Sequence, residues 1–335
     1  MKKTLSLGLA LLLTVLFASC GQATGVKSGA AAGEALVKMM PKGTTGVVAV
    51  DVKRVLGTEA VVKALQDPKT KEKYDEFVKM CGIDPMKDIS YIAVGLTGMP
   101  MGGAPDGAAI INLKYDRARL EGLIKEKAPQ AKGELYNGVT IYSGLDGGGT
   151  AKQTTGAAFL DASHIIIGTE KGVKGLIDVQ QKKAESSAKD PELSSILKKV
   201  DKSGYAWGAF LLPQELIKKG IESNPQLKVL EGIIGLTLMF DDRLNNIVAD
   251  IRTIGGTKEQ NANLAATVNG FKAMGAMFGG QEPAVGELLN GIEITSGVDY
   301  VRIHLNVSHE TMDKVGKLAQ SKAGEFIKGK KDGSQ

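Results

Sequence analysis

Apolar residues recur along this chain in two periods, and each period predicts an element. Val301, Ile303, Leu305 and Val307 alternate with Arg302, His304 and Asn306, which predicts a half-buried strand with one wet face. Residues 205–212 are apolar on both faces. Tyr205, Trp207, Ala209 and Leu211 share one and Ala206, Gly208, Phe210 and Leu212 the other, so this strand is expected to be central and covered. The Val-rich run 45–52 predicts a strand feeding a helix over 53–65. Runs 89–96 and 107–113 predict a strand pair followed by a helix over 115–127. Runs 233–240 and 246–254, joined by a polar loop, predict a second pair followed by a helix over 257–278. On that helix Leu264, Val268, Phe271, Met274 and Phe278 mark one apolar stripe, and Thr257 with Gln260 forms a capping box. Strand 163–168 runs into a helix over 170–181, and strand 298–307 into a helix over 310–328 capped by Ser308. Gly82 is placed to end a helix as a left-handed residue.

The same order of elements occurs twice. Asn137–Gly144 aligns with Asn290–Gly297 at five of eight positions, an offset of 153, and strand 45–52 has its counterpart at 203–212. The pattern predicts an α+β fold by internal duplication, as two similar halves, each a largely antiparallel sheet packed by helices. The halves span 41–182 and 203–328, joined by a linker and short helix over 183–202 and followed by a polar, disordered tail over 329–335. Gly138–Ile141 and Gly291–Ile294 are expected on equivalent strands.

Residues 1–19 form a secretory signal: Lys2 and Lys3, an uncharged apolar run from Leu5 to Phe17, then Ala18 and Ser19. The segment Leu16-Phe17-Ala18-Ser19-Cys20-Gly21 resembles a bacterial lipobox, with Leu one place earlier than usual. That resemblance implies that Cys20 becomes the first mature residue and carries acyl chains, an anchor of about 0.8 kcal/mol per buried CH2. Gly21 in place of Asp implies the outer membrane, facing the periplasm. Residues 20–40 read as a flexible tether, within which 33–40 can begin a short helix. Lipidation of Cys20 leaves Cys81 unpaired, so no disulfide is expected within the chain, and Cys81 reads as a small buried hydrophobe.

Composition adds constraints rather than chemistry. The chain has 335 residues, 43% hydrophobic and 24% charged, an ordinary globular balance. Its formal charge of +5 falls to +3 when Lys2 and Lys3 leave with the signal peptide, since 40 − 37 = 3. No basic stripe suggests a nucleic-acid partner. The lead Pro41-Lys42-Gly43-Thr44 into Val47-Val48-Ala49-Val50-Asp51, and the turn Gly82-Ile83-Asp84-Pro85-Met86-Lys87-Asp88, resemble those of an uncharacterised family of secreted bacterial lipoproteins. The resemblance implies the duplicated α+β organisation and supplies no site.

Candidate chemistry is sparse. His304 and His309 lie across a strand end and a helix start, with too few further ligands for zinc. Asp161, Ser163 and His164 occupy one turn, which does not by itself make a triad. Gly144–Thr150 lacks the Gly-Lys-Ser/Thr of a phosphate loop, Thr169 reads as a helix cap, and Asp241-Asp242 lacks calcium-loop spacing. Met99-Pro100-Met101-Gly102-Gly103 reads as a surface loop. No catalytic residue, metal or cofactor is expected. One candidate ligand pocket, for an apolar molecule, consists of Trp207, Met239, Phe271 and Met274 between sheet and helices. The expected function is a lipid-anchored, non-enzymatic envelope module, binding or structural, with an apolar ligand or an envelope protein as partner. The alternatives are a carrier of an apolar ligand such as a lipid, or a hydrolase whose site forms only in space.

Overall fold

The computed structural model describes residues 29–98, 106–145, 155–279 and 282–332. The signal segment, Cys20, the Met99–Gly103 loop, most of the Gly144–Thr150 loop and residues 333–335 lie outside them. The described chain opens with helix α1 (Ala30–Val37), strand β1 (Gly46–Asp51), helices α2 (Val52–Leu56), α3 (Glu59–Ala64), α4 (Pro68–Cys81) and α5 (Pro85–Asp88), and strands β2 (Ile89–Thr97) and β3 (Asp106–Leu113). Helix α6 (Arg117–Lys127) precedes β4 (Lys132–Tyr136), β5 (Val139–Ser143), β6 (Thr155–Phe159) and β7 (His164–Thr169). Helices α7 (Glu170–Gln180) and α8 (Pro191–Leu197) lead to β8 (Ala206–Leu211), α9 (Gln214–Ser223), β9 (Ile233–Arg243) and β10 (Asn246–Gly255). The chain ends with α10 (Lys258–Gly279), α11 (Pro283–Asn290), β11 (Ile292–Ser296), β12 (Tyr300–Ser308) and α12 (His309–Asp332).

The fold is α+β, but the two halves do not keep separate sheets. All twelve strands form one antiparallel sheet in the order β11-β12-β10-β9-β8-β1-β2-β3-β7-β6-β5-β4. The halves meet where β1 pairs with β8, Ala49 opposite Trp207. Outward from that seam, β1-β2-β3-β7-β6 is mirrored by β8-β9-β10-β12-β11. The duplication therefore holds in topology, while the matched octets do not coincide. β5, which carries Val139–Ser143, is separated from β7 by β6, whereas β11 pairs directly with β12. The first half has an extra outer hairpin, β4-β5, so Gly138–Ile141 and Gly291–Ile294 occupy different sheet positions. Asn137-Gly138 makes the tight turn between β4 and β5 with both residues at positive φ, whereas Gly291 caps α11 at φ −72°, so the two octets share residues and not a backbone role.

Helix starts follow from their caps. Asp51, Asp67, Asp84, Asp116, Thr169 and Asp190 each accept a backbone N–H of the first turn. Thr257 and Gln260 close a reciprocal box at 2.8 and 3.2 Å. Gly82 ends α4 at φ +73°, as its position implied. Gly57 and Thr58 split the expected helix over 53–65 into α2 and α3. At the other end α12 runs through Asp332, four residues into the segment read as a polar tail.

The tether expectation needs correction. Gly29 and the helix α1 lie on the sheet, with Leu36, Val37 and Met40 buried. The linker is anchored too: Ser187, Leu193 and Ile196 are fully buried, and Pro41 bridges to Ser186. Together α1, α7 and α8 seal one face of the sheet, over Val47, Ala49, Ala93, Ile110, Ile166, Trp207 and Ala209. Glycines at Gly168 and Gly172 permit that closure, because a Cβ at either would lie 2.3–2.5 Å from the Gly107 carbonyl oxygen of β3. On the opposite face of the first half, α2 and α4–α6 cover Ile89, Ile92, Leu113 and Ile165. Cys81 is buried there, and burial pushes its thiol pKa above the ordinary value, as suits a packing residue.

Candidate functional site

The pocket expected around Trp207 is not assembled. Trp207 and Met239 are opposite one another across β8 and β9, and both are buried on the face sealed by α1. Gly33 of α1 approaches the Trp207 ring so closely that a Cβ there would lie 3.1 Å from Cζ2. The Lys202 ammonium, paired with Glu34 at 2.6 Å, stands 5.7 Å from the ring centre. Phe271 and Met274 are elsewhere. They lie on α10, which packs on β11 and β12 through Leu264 and Ala265 against Val301 and Ile294, on the other face of the sheet. Phe271 is 61% and Met274 46% exposed. The apolar stripe of α10 meets the sheet through Leu264 and Val268, while Phe271 and Met274 further along it are exposed.

That second face carries the feature the sequence pattern did not predict. In β9 Gly235, Thr237, Met239 and Asp241 are buried, while Leu236, Leu238 and Phe240 are half-buried and Ile234 is exposed; Ile233 and Asp242, towards the strand ends, are buried as well. Strand register extends these side chains into rows. Gly208, Leu238, Ile251, Ile303 and Ile294 form one row; Ala206, Phe240, Ala249, Leu305 and Ile292 form the next. Ile251, at the centre, is 38% exposed. The flanking helices α9 and α11 contain no buried residue, although Leu216, Ile217 and Ile221, and Val285, Leu288 and Leu289, give each an apolar side. Met277 extends the exposed stripe of α10. The result is a partly open apolar surface, with Ile251 exposed, most of its neighbours half-buried, and Gly208 and Ala249 still buried within it.

The buried face of the C-terminal half is charged instead. Asp241 takes Arg54 at 2.5 Å and Arg243 at 2.7 Å. Asp250 takes Arg252 at 2.7 Å and Arg302 at 2.5 Å, with His304 Nδ1 at 3.3 Å. Asp201 stands close to this group. Desolvation would raise its pKa, but the Ser203 N–H and hydroxyl and the charges of Arg243 and Arg252 together hold it below the ordinary value. The alternation of Arg302 and His304 was legible as a wet face. Their partner Asp250, two strands' worth of chain earlier, was not.

The remaining candidates resolve into structural roles. Asp241 and Asp242 sit on opposite faces of β9; Asp242 accepts from His309 Nε2 at 3.0 Å, so the pair does not converge on a cation. Among the described residues no group of three His, Cys, Asp or Glu is placed to hold a metal. Asp161, Ser163 and His164 do come together: His164 Nδ1 is 2.8 Å from Asp161 and 3.3 Å from Ser163 Oγ. The order is not that of a nucleophile relay, because Ser163 and Asp161 meet the same ring nitrogen and the Asn112 amide meets Nε2 at 3.0 Å. Thr169 Oγ1 accepts the Gly172 N–H at 3.2 Å, a plain cap. Two surface depressions, of about 600 and 520 Å3, are lined by Asp106, Glu170, Lys171 and Lys174 and by Lys71, Glu72, Asp75 and Lys79, far in character from an apolar site. Among the described residues no helix is long and apolar enough to cross a membrane.

No protein-family model matches the chain, and no curated protein does. It is similar to the chain described as "Structure of crystal form III of TP0453", with 11% identity and a TM-score of 0.47, over 87% of this chain and 97% of that one. Crystal form I of TP0453 matches with 11% identity and a TM-score of 0.46, over 84% and 97% of the two chains.

Proposed function

We propose that the protein is a lipid-anchored module of the bacterial cell envelope, held in the outer membrane by acyl chains on Cys20, that acts by binding and not by catalysis. Its ligand is apolar, with the acyl chain of a lipid as the class that fits best. The observation that carries this reading is the open row of Leu238, Ile251 and Ile303, which leaves aliphatic area in water that a folded core would cover. The site is a surface on the sheet beside α10, in place of the enclosed cavity around Trp207 first expected. The lipobox-like segment supports the envelope setting, since it brings the domain within tens of residues of a bilayer.

Two outcomes test it. Cys20→Ala is expected to move the protein from the membrane fraction to the soluble fraction and to abolish labelling by radioactive palmitate; equal labelling of both forms refutes the anchor. Native mass spectrometry of the protein is expected to reveal a co-purified lipid that Ile251→Asp removes. Because Ile251 is only partly in water and sits in a strand paired on both sides, that variant is expected to cost about 1–2 kcal/mol and to stay folded, which thermal unfolding checks. A wild-type protein that emerges without lipid and fails to take up added fatty acid or phospholipid refutes the ligand reading.

A further inference from the structure

The charged face of the C-terminal half contains a second arrangement with the chemistry of a site. Arg252 and Arg302 are register partners on adjacent antiparallel strands. Side chains so placed have Cβ atoms about 4.5–5.5 Å apart, and like charges there repel. A single carboxylate lies between them. Asp250 receives the Nε of each arginine and is 3% exposed. Asp250 is the carboxylate in contact with both arginines, and Asp201 adds a second negative charge near Arg252. Arg302 Nη2 also reaches His304 Nδ1 at 3.1 Å. Among the described residues the terminal nitrogens of Arg252 have no hydrogen-bond partner, and both arginine side chains are 30% exposed.

Register adds a hydroxyl on each side. Thr237 is opposite Arg252 and Thr295 is opposite Arg302, so one row across four strands reads Thr-Arg-Arg-Thr. Thr237 is buried at the inner end and Thr295 exposed at the outer end. Asp250 orients both guanidinium groups by their Nε atoms, which pre-organises the forks and leaves the terminal nitrogens of Arg252 and Nη1 of Arg302 available to donate. A fork held in this way accepts an oxyanion through paired, charge-assisted N–H bonds. The carboxylates nearby are Asp201, which interacts with Arg252, and Glu293, exposed and opposite His304. Neither lies in the Thr-Arg-Arg-Thr row.

We propose that Thr237, Arg252, Arg302 and Thr295 form a binding site for an oxyanion group, phosphate or carboxylate, on the sheet face opposite the apolar surface. Asp250 is its positioning residue.

The test uses the detergent-solubilised full-length protein and two probes at constant ionic strength, inorganic phosphate and acetate. Saturable binding of a probe is expected by calorimetry, weakened at least tenfold in Arg252→Gln and in Arg302→Gln. Arg302→Lys, which keeps the charge and loses the fork, is expected to fall between. Phenylglyoxal modification read by mass spectrometry supplies a measurement on the wild type alone. A bound anion should slow labelling of Arg252 and Arg302 and leave Arg117, on the far half, unchanged. Protection by phosphate only assigns a phosphoryl ligand, and protection by both probes admits carboxylates. Absence of protection by either probe, or equal affinity in wild type and folded Gln variants, overturns the site.

Discussion

Replacing Trp207 with alanine is expected to destabilise the protein by about 3–5 kcal/mol, the usual cost of emptying a packed aromatic site. The side chain is 1% exposed at the seam between the two halves of the sheet, opposite Ala49 on one side and Met239 on the other. Gly33 of α1 rests against the ring, and the α1 residues Leu36 and Val37 belong to the same core. The loss should therefore reach α1, which is expected to become sensitive to proteolysis before the rest of the domain. A change of this size is a large share of a typical 5–15 kcal/mol total. Trp207→Phe separates packing from polarity. The indole Nε1 is buried without a hydrogen-bond partner among the described residues, so phenylalanine sacrifices volume and no bond. It is expected to cost about half as much as alanine or less. Urea unfolding followed by circular dichroism measures both. A Trp207→Ala midpoint close to wild type refutes the seam's importance. As the chain's single tryptophan, Trp207 also reports directly: emission like that of free indole in water contradicts its burial.

The second large effect is expected at Asp250. Removing the carboxylate in Asp250→Ala leaves Arg252 and Arg302 face to face across β10 and β12, and breaking a buried pair in this way costs about 3–5 kcal/mol. Because both guanidinium groups retain some contact with water, the lower end of that range is expected, and high salt should recover part of the loss. Asp250→Asn keeps the shape and an acceptor oxygen and should lose less. Thermal unfolding of the three proteins at low and high salt checks this. An Asp250→Ala variant indistinguishable from wild type would mean that the arginines are solvated independently of the carboxylate.

Local features of the chain were readable because they depend on neighbours in sequence. The cap residues, the Thr257–Gln260 box, the left-handed Gly82 and the alternation of β12 all act within a few residues. So does the two-sided apolar pattern of β8, which marks a central strand. The order of elements in each half was legible for the same reason. The pairing of Gly138–Ile141 with Gly291–Ile294 misled because Asn-Gly serves a hairpin turn at one place and a helix end at the other, and carries no information about sheet position.

The candidate sites fared differently. Trp207 and Met239 are neighbours because strand register makes them so, but Phe271 and Met274 ride on a helix assigned to the opposite face. Periodicity says which side of α10 is apolar; it does not say which side of the sheet α10 chooses, or how many of its turns find something to cover. In β9 the usual rule is inverted. Within β9 the positions of Thr237 and Asp241 are buried, and those of Ile234 and Leu236 are left exposed or half-buried. An amphipathic strand looks the same in sequence whichever side is covered. The fusion of both halves into one sheet through β1 and β8, and the meeting of Asp250 with Arg302, arise from residues brought together across 158 and 52 positions of chain. The amino-acid order thus specified the elements and their amphipathic sides through short-range chemistry. Which of those sides met another layer, and which remained open, was decided by strand register and helix placement, where the contacts are long-range and a single strand carries only its half of each one.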